Sequence, residues 1–373
     1  MLLALIAVAL LAALAGTVRL WPESSAVAAV DDLAGSTAPG TTYVTGRVVT
    51  VQEPCADQSQ VGDGCGALRV TVDGESSPVV VPAAAEVLAS GLASGDEVEL
   101  LRTQPQGDGG QATYAYYATD RDAALLWLLV LFVVVAVAVA RLRGLMAIVG
   151  LTVSGLVLWQ FTLPALLTGE NGVAVALCTA TLILVVVLYT THGLSWRTST
   201  ALLGTLAGVL MVLGLGEAWM RLAALTGVSD ESTALLGAYA SDLDYRGLLA
   251  CALVIAGLGI LNDVTITQTS AVWELRGAAP GLPRTALFSR GMRIGRDHIA
   301  STIYTIVFAY AGGALAVLML LYLYDRPLLD LVSTEQLAEE IVRTLTGAVG
   351  LMLAVPVTTA LAAVLAGPPR AAD

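Results

Sequence analysis

Residues 257–302 read GLGILNDVTITQTSAVWELRGAAPGLPRTALFSRGMRIGRDHIAST. The stretch holds acids, amides, hydroxyls, five arginines and one of only two histidines, in a chain that is otherwise mostly Leu, Ala and Val. Any specific chemistry of the protein is therefore expected here first. Long apolar runs flank the stretch, which predicts the inner end of one membrane helix, an Arg-rich loop at 276–296 and the start of the next helix.

The composition indicates a polytopic membrane protein. Of 373 residues, 57% are hydrophobic and 13% are charged, which is well below the roughly 25% charged residues of soluble domains. The net charge of −12 comes mostly from segments expected outside the membrane. It argues against a nucleic-acid partner.

Two regions precede the main membrane part. Residues 1–21 are mostly apolar and predict either an uncleaved membrane anchor or a signal peptide, and both would export the polar region after them. Residues 22–122 are polar and rich in Gly, Pro, Ser, Thr and Asp, with β-branched runs between turns. They predict a small exported β-rich domain, OB-like or another small barrel or sandwich. The five expected strands are Tyr43–Val51, Ala67–Val72, Val79–Val81, Glu97–Leu101 and Ala112–Ala118.

Two of the four cysteines lie in the polar region and two lie in apolar runs. Cys55 and Cys65 flank a Gly/Asp/Gln-rich segment of the exported region. They are candidates for a short disulfide in an oxidising compartment, and a pair of free thiols is the alternative. Cys178 and Cys251 fall in apolar runs and are expected to be small core residues.

Residues 123–373 predict a seven-helix transmembrane domain, so that the chain has about eight transmembrane helices in all, with the β-rich domain between helices 1 and 2. Arginines concentrate in alternate connections and at the C-terminus, whereas acids concentrate in the opposite connections. This bias predicts a multipass protein of the bacterial plasma membrane, with residues 22–122 extracytoplasmic and the C-terminus cytoplasmic. The expected spans are 123–140, 144–164, 172–191, 199–219, 246–266, 298–323 and 341–366.

The span that ends in the quoted stretch is short for a membrane helix. Gly247–Leu261 has 15 residues, which at ~1.5 Å each is about 22 Å and less than the ~30 Å hydrocarbon core. To cross the bilayer, the helix must draw Asn262 and Asp263 to the inner hydrocarbon boundary. Asp263 is therefore expected to be a membrane-embedded carboxylate.

Helical spacing gives Asp263 polar neighbours. Asp263, Thr267, Ser270 and Glu274 follow an i, i+4, i+7, i+11 pattern and share one face if the helix continues. One interpretation is an ion or solute pathway in which Asp263 is the ligand and Thr267 or Asn262 adds oxygen atoms. The other is an interfacial carboxylate paired with an Arg of the following loop.

The next helix begins with a second polar group. Arg293 and Asp297 stand four residues apart, so an ion pair between them is the simplest expectation. Asp297 is also a candidate residue of the ion or solute pathway, together with His298. His298 is a candidate proton relay because its unperturbed pKa is about 6.5, although it could equally cap the helix start. The arginines of the loop are expected to set topology and to contact anionic lipid headgroups.

Two runs resemble the signature of the YibE/YibF-like family of bacterial membrane proteins: LNDVTITQTSAVWELR at 261–276 and RIGRDHIAST at 293–302. The family tends to have a second Asp where this chain has Asn262, and Asn where it has Tyr304. With Asn262 in place of the second Asp, this chain lacks one of the two carboxylates that a paired-carboxylate metal site would use. Whether the protein binds a metal is therefore left open. The resemblance implies a polytopic bacterial membrane protein with transport as a candidate activity, and it implies no particular substrate.

The sequence thus predicts a non-enzymatic protein without a cofactor. The first hypothesis is a permease or ion-coupled transporter of a small solute or ion centred on Asp263, in the lipid bilayer and open to oligomerisation. The alternative is an envelope scaffold or sensor whose exported β domain binds a partner. An intramembrane protease is disfavoured because Gly257-Leu258-Gly259 is followed by Ile260 and no GxGD arrangement occurs.

Overall fold

The computed structural model describes residues 2–28, 41–55, 65–104, 112–240, 242–323 and 327–367. The chain divides into two compact units, Met1–Val30 with Ala136–Asp373, and Asp31–Val135. We call these the helical unit and the β unit. The division lies inside a helix near residue 135, whereas the sequence placed the end of the β-rich region at residue 122.

All five strands of the described structure lie between the first helix and the helices that begin at residue 122. The elements are, in chain order, α1 (Leu2–Arg19), β1 (Thr41–Val51), β2 (Ala67–Val72), β3 (Val79–Pro82), α2 (Ala85–Leu88), β4 (Glu97–Thr103), β5 (Thr113–Thr119), α3 (Asp122–Val157), a π-helical turn (Leu158–Thr162), α4 (Leu163–Leu167), α5 (Gly172–His192), α6 (Trp196–Leu222), α7 (Glu231–Tyr239), α8 (Tyr245–Ala278), α9 (Arg284–Gly313), α10 (Leu315–Leu323), α11 (Leu328–Val332) and α12 (Glu335–Leu365).

The β unit contains the predicted small antiparallel sheet. The strand order is β3-β2-β1-β4-β5, and every neighbouring pair is antiparallel. All five predicted strands are present, with ends shifted by no more than two residues. The edge strands β3 and β5 also contact each other, so the sheet curls toward closure.

Alternation along the strands explains the core of this sheet, because successive side chains point to opposite faces. In β2 the burial pattern alternates after its first two residues. Gly46 in β1 pairs with Val72 on one side and Val98 on the other. A Cβ there would lie 3.0 Å from the carbonyl oxygen of Thr71, so the position favours glycine. The core residues are Val48, Leu68, Val70, Val72, Val81, Leu88, Val98 and Leu100.

Cys55 and Cys65 are joined by a disulfide, with Cα atoms 5.1 Å apart. The bond links the segment after β1 to the start of β2 and closes a short loop of the β unit. In the helical unit, Cys178 and Cys251 are free and buried.

The membrane-spanning helices number six by length and apolar composition among the described residues, or up to seven if the bent pair α9 and α10 counts as one span. A helical polytopic protein is therefore confirmed. The predicted total of eight depends on residues 122–167, which form one helical run of 46 residues where the sequence predicted two spans.

That long run is interrupted at Arg141. Its backbone has φ 54° and ψ −133°, which no helix accommodates. A straight helix of 46 residues would be about 69 Å long, more than twice the ~30 Å hydrocarbon core. A Cβ on Gly144 would clash with the backbone of Ala136, eight residues earlier, although these positions would be about 12 Å apart along a straight helix. The chain therefore bends sharply at Arg141.

The Arg-rich segment at 276–296 is mostly helical, which corrects the predicted loop. α8 continues to Ala278 and α9 begins at Arg284, so the connection is only residues 279–283. Pro283 precedes the first turn of α9, where its fixed φ and missing N–H are tolerated. α9 thus begins 14 residues before the predicted span 298–323. The chain bends by 65° at Ala314, between α9 and α10.

α8 is the central helix of the helical unit. It contacts α5, α6, α9 and α12. Glycines allow the closest approaches, as small residues do in membrane helices. A Cβ on Gly247 of α8 would lie 3.1 Å from the Cα of Gly172 of α5. A Cβ on Gly208 of α6 would lie 2.9 Å from Leu261 and 3.1 Å from Ala354, so glycine there permits close packing of α6 against α8 and α12.

Candidate functional site

The polar face predicted around Asp263 exists because α8 is unbroken from Tyr245 to Ala278. Asp263, Thr267 and Glu274 are exposed in the single chain, and Ser270 is half-buried. The opposite face of the same turns is buried against other helices. Its residues are Val264, Thr265, Gln268, Thr269 and Val272.

Asp263 forms no ion pair with an arginine among the described residues. The four ion pairs found among the described residues join Arg47 to Glu97, Arg102 to Glu75, Arg221 to Glu217 and Arg343 to Glu340. The expected neutralisation of Asp263 by an arginine of the following segment therefore does not occur. The pair expected between Arg293 and Asp297 is also not formed in the part of the chain that the structure describes, and both side chains are exposed. The Glu217–Arg221 pair follows the helical i, i+4 rule at 3.3 Å.

An ionisable residue of α5 lies near Asp263. His192, the last residue of α5, is within electrostatic range of Asp263, Arg197 and Arg143. Asp263 thus stands at the level where α5 ends, beside several ionisable groups.

The contacts of Gln268 set the register between α8 and α9. Its Nε2 donates to the carbonyl oxygen of Gly291 at 2.9 Å, and a Cβ on Gly295 would lie 3.0 Å from its Oε1. Residue 268 is therefore level with about residue 293. The five-residue connection makes the two helices antiparallel, so moving six residues, or about 9 Å, back along α8 to Asn262 corresponds to residue 299 on α9.

Asn262, Asp263 and His298 consequently occupy one level on adjacent helices. Two of them carry buried polar atoms without a hydrogen-bond partner among the described residues: Oδ1 of Asn262 and Nε2 of His298. Such atoms cost free energy unless water, an ion or a solute satisfies them. These two unpartnered atoms, at the level of the Asp263 carboxylate, are the strongest indication of a binding site in the helical unit.

The remaining predicted site residues are less well placed. Asp297 precedes His298 but is exposed. Glu274 lies 11 residues beyond Asp263, about 16 Å along the helix. The hydroxyl of Ser270 donates to the carbonyl oxygen of Ile266 in its own helix at 2.7 Å. The structure therefore places Asn262, Asp263 and His298 at one level. Thr267 lies one turn from Asp263 on the same exposed face.

A cavity that is lined by apolar and polar residues together lies farther along α9, at its bend toward α10. It has a volume of about 340 Å³. Tyr310 lines it from α9, while Gln336, Glu340 and Arg343 line it from α12. Arg343 pairs with Glu340 at 3.3 Å, yet its buried Nε has no hydrogen-bond partner in the described structure. Tyr310 is 12 residues beyond His298, or about 18 Å, so the cavity and the Asp263 level are well separated along the membrane helices.

Sequence reasoning missed the buried polar contacts between helices. The Nε2 of Gln268 also donates to Thr359 Oγ1 of α12 at 2.7 Å, and the hydroxyls of Thr205 and Thr265 are 2.6 Å apart. Arg276 is buried as well: its guanidinium donates to the carbonyl oxygens of Ala366, Pro280 and Leu282. These bonds fix the end of α8. The sequence predicted contact between the loop arginines and lipid headgroups, but the Arg276 guanidinium is occupied by these carbonyl oxygens. The sequence signal that could have indicated these contacts was Gln268, a glutamine inside an apolar helix.

A metal centre is not evident in the described residues, which hold no group of three His, Cys, Asp or Glu side chains arranged for one. The buried apolar helices and the polar positions within them define a polytopic membrane protein. A family model described as YibE/F-like protein matches residues 128–368, and the chain belongs to that family. Searches among curated proteins and among solved structures found no match.

Proposed function

We propose that the protein is a non-enzymatic permease or ion-coupled transporter for a small ion or solute, with Asp263 at its binding site. The observation that carries this proposal is the common level of Asp263 and the unpartnered buried atoms Asn262 Oδ1 and His298 Nε2. A carboxylate within the bilayer costs roughly 2.5–3.5 kcal/mol on insertion scales and usually faces a cavity or a partner. An ion or a protonated solute bound there would supply the missing partner.

The cavity at Tyr310, which has polar residues in its lining, supports a pathway in the same unit. Its Arg343 and Glu340 side chains are about one quarter exposed, so the cavity is open to water or solute. Between this cavity and the Asp263 level, α9 presents the half-buried Thr302, whose hydroxyl donates to the carbonyl oxygen of His298 at 2.8 Å. A solute moving between the two polar sites would follow α9.

We further propose eight spans in the bacterial plasma membrane, with the β unit outside and the C-terminus in the cytoplasm. The sharp bend at Arg141 supports two crossings within residues 122–167. In this topology α1 is a retained anchor, which its packing supports: Leu2 and Ile6 belong to the main core and are only 6% and 7% exposed. The OB-like character of the β unit rests on its strand order and on the β3–β5 contact.

The test is ion-driven current in proteoliposomes that hold the purified protein. Concentration jumps of H⁺, Na⁺, K⁺, Mg²⁺ and Mn²⁺ are applied in turn, and transient currents are recorded on a solid-supported membrane. Asp263→Asn should abolish the responsive current, because an amide cannot carry the charge. Glu274→Gln is the matched control, on the same exposed face but about 16 Å away, and should leave the current unchanged. Equal currents from Asp263→Asn and wild type would overturn the proposal.

A scaffold or sensor function is the second candidate. It is favoured by an exposed aromatic pair on the β unit, where Tyr43 and Tyr117 are 49% and 57% exposed and their rings meet edge to face at 4.9 Å. Exposed aromatic residues are frequent in protein-binding surfaces. Complementation of a deletion strain separates the two functions. A scaffold requires residues 43–118 and tolerates Asp263→Asn, whereas a permease fails to complement with Asp263→Asn.

A further inference from the structure

An open cavity of about 480 Å³ lies between α1, α5 and α6, away from the Asp263 level. Its lining is almost wholly apolar and is widened by small residues on α1, among them Ala9, Ala12 and Gly16. A volume in this range matches small-molecule binding sites of ~300–1,000 Å³. Leu210 of α6 stands at the rim and is 58% exposed, so the cavity opens sideways toward the bilayer.

The depth of the cavity corresponds to one leaflet. Its lining on α1 runs from Ala9 to Leu20, and 11 residues at ~1.5 Å each give about 16 Å. That is about half of the ~30 Å hydrocarbon core. The lining therefore extends from the end of α1 over a length of about half of the hydrocarbon core.

Arg19 is the charged group among the lining residues. It is exposed, and no hydrogen bond or ion pair engages its guanidinium in the described part of the chain. The hydroxyl of Thr181, farther inside, already donates to the carbonyl oxygen of Leu177 at 2.8 Å. The cavity therefore combines one available cation at its mouth with an apolar interior.

We propose that this cavity binds one acyl chain of an anionic phospholipid, with Arg19 contacting the phosphate. The apolar interior accepts the chain, and the sideways opening admits it directly from the leaflet. An arginine at the interface attracts anionic headgroups and presents several donors to a phosphate. This site is independent of the Asp263 pathway and concerns a bound lipid rather than a transported solute.

The experiment is native mass spectrometry of the purified full chain in detergent, with phosphatidylglycerol and phosphatidylcholine added in equal amounts. Wild type should retain one phosphatidylglycerol in preference to phosphatidylcholine. Arg19→Gln should lower that preference about fivefold, the effect of one interfacial charge. Arg221→Gln, another exposed arginine near a helix end, is the control and should leave the preference unchanged.

The second part of the experiment blocks the cavity with a large side chain. Ala12→Trp places a large ring in the cavity and should remove the bound lipid, whereas Leu14→Trp on a non-lining face of α1 should not. Leu210→Trp fills the cavity from α6 if Ala12→Trp does not fold. Equal retention of the two lipids by wild type, or lipid retained by both filling variants, would overturn the proposal.

Discussion

Gln268 is the residue that ties three helices of the helical unit together. It is 3% exposed, and its Nε2 reaches Gly291 of α9 and Thr359 of α12 from its position on α8. Gln268→Met keeps a similar volume but removes both hydrogen bonds. Since interhelical hydrogen bonds in membrane proteins are worth ~0.6 kcal/mol on average and up to ~1.7, we expect the free energy of unfolding to fall by about 1 kcal/mol. Unfolding in mixed detergent micelles measures the change.

Ser270→Ala is the matched control on the same helix, because among the described residues the Ser270 hydroxyl donates only to the carbonyl oxygen of Ile266 in its own helix. Its effect should stay within about 0.5 kcal/mol, as for substitutions that break no contact between elements. Similar losses for both variants would show that Gln268 does not join the helices in solution.

The partners of Gln268 and Arg276 could not be predicted from sequence. Thr359 lies 91 residues beyond Gln268, and Ala366 lies 90 residues beyond Arg276. Local pattern identifies a polar residue in an apolar helix but not which distant helix receives it. Asp263 is different, since the expectation that it is embedded in the membrane came from helix length alone, and it stays a prediction.

At the scale of elements, local signals predicted all five strands and most spans, and the main misplacement was the start of α9. The strands follow from alternation and turns such as Asp73-Gly74, which are local properties. The predicted span began at residue 298 because only apolar length was counted. Pro283 carried the missing signal, since proline often precedes or begins a helix. The 65° bend at Ala314 had no comparable signal beyond Gly312 and Gly313.

The short helix α7 allows a prediction about pH. Asp230 caps it: the backbone N–H of Thr233 donates to Asp230 Oδ1 at 2.8 Å, and the Thr233 hydroxyl lies 2.9 Å from the same oxygen. These bonds lower the pKa of Asp230 below its ordinary value. A lowered pKa stabilises the helix fully above the unfolded-state pKa of about 3.9, and this stabilisation is lost as pH falls through the folded-state pKa.

Hydrogen exchange at residues 231–239 measures this effect as protection factors, which correct for intrinsic rates. In wild type, protection should fall as the pH drops below about 4, whereas Asp230→Asn should keep the cap without that pH dependence. Asp230→Ala should lower protection about fivefold at neutral pH, the loss of ~1 kcal/mol expected for a helix cap. An unchanged pH profile in Asp230→Asn would exclude the carboxylate as the cause.

At the scale of the whole molecule, the β unit and the helical unit have separate cores, and the proposed topology assigns them to different surroundings. The disulfide between Cys55 and Cys65 requires an oxidising compartment to persist. The exposed arginines on α9, among them Arg290 and Arg293, agree with a cytoplasmic side under the positive-inside rule. These two independent features support a topology with the β unit and the α8–α9 connection on opposite sides of the membrane.

Cysteine labelling in intact cells tests that arrangement directly. Ser90 of the β unit and Ser289 of α9 are both exposed, and the natural thiols are either in the disulfide or buried. A membrane-impermeant maleimide should label Ser90→Cys in intact cells, because no bilayer separates it from the medium. Ser289→Cys should be labelled only after the cells are permeabilised. The reverse pattern would invert the topology, and it would place the Asp263 level near the outer surface and the Tyr310 cavity near the cytoplasm.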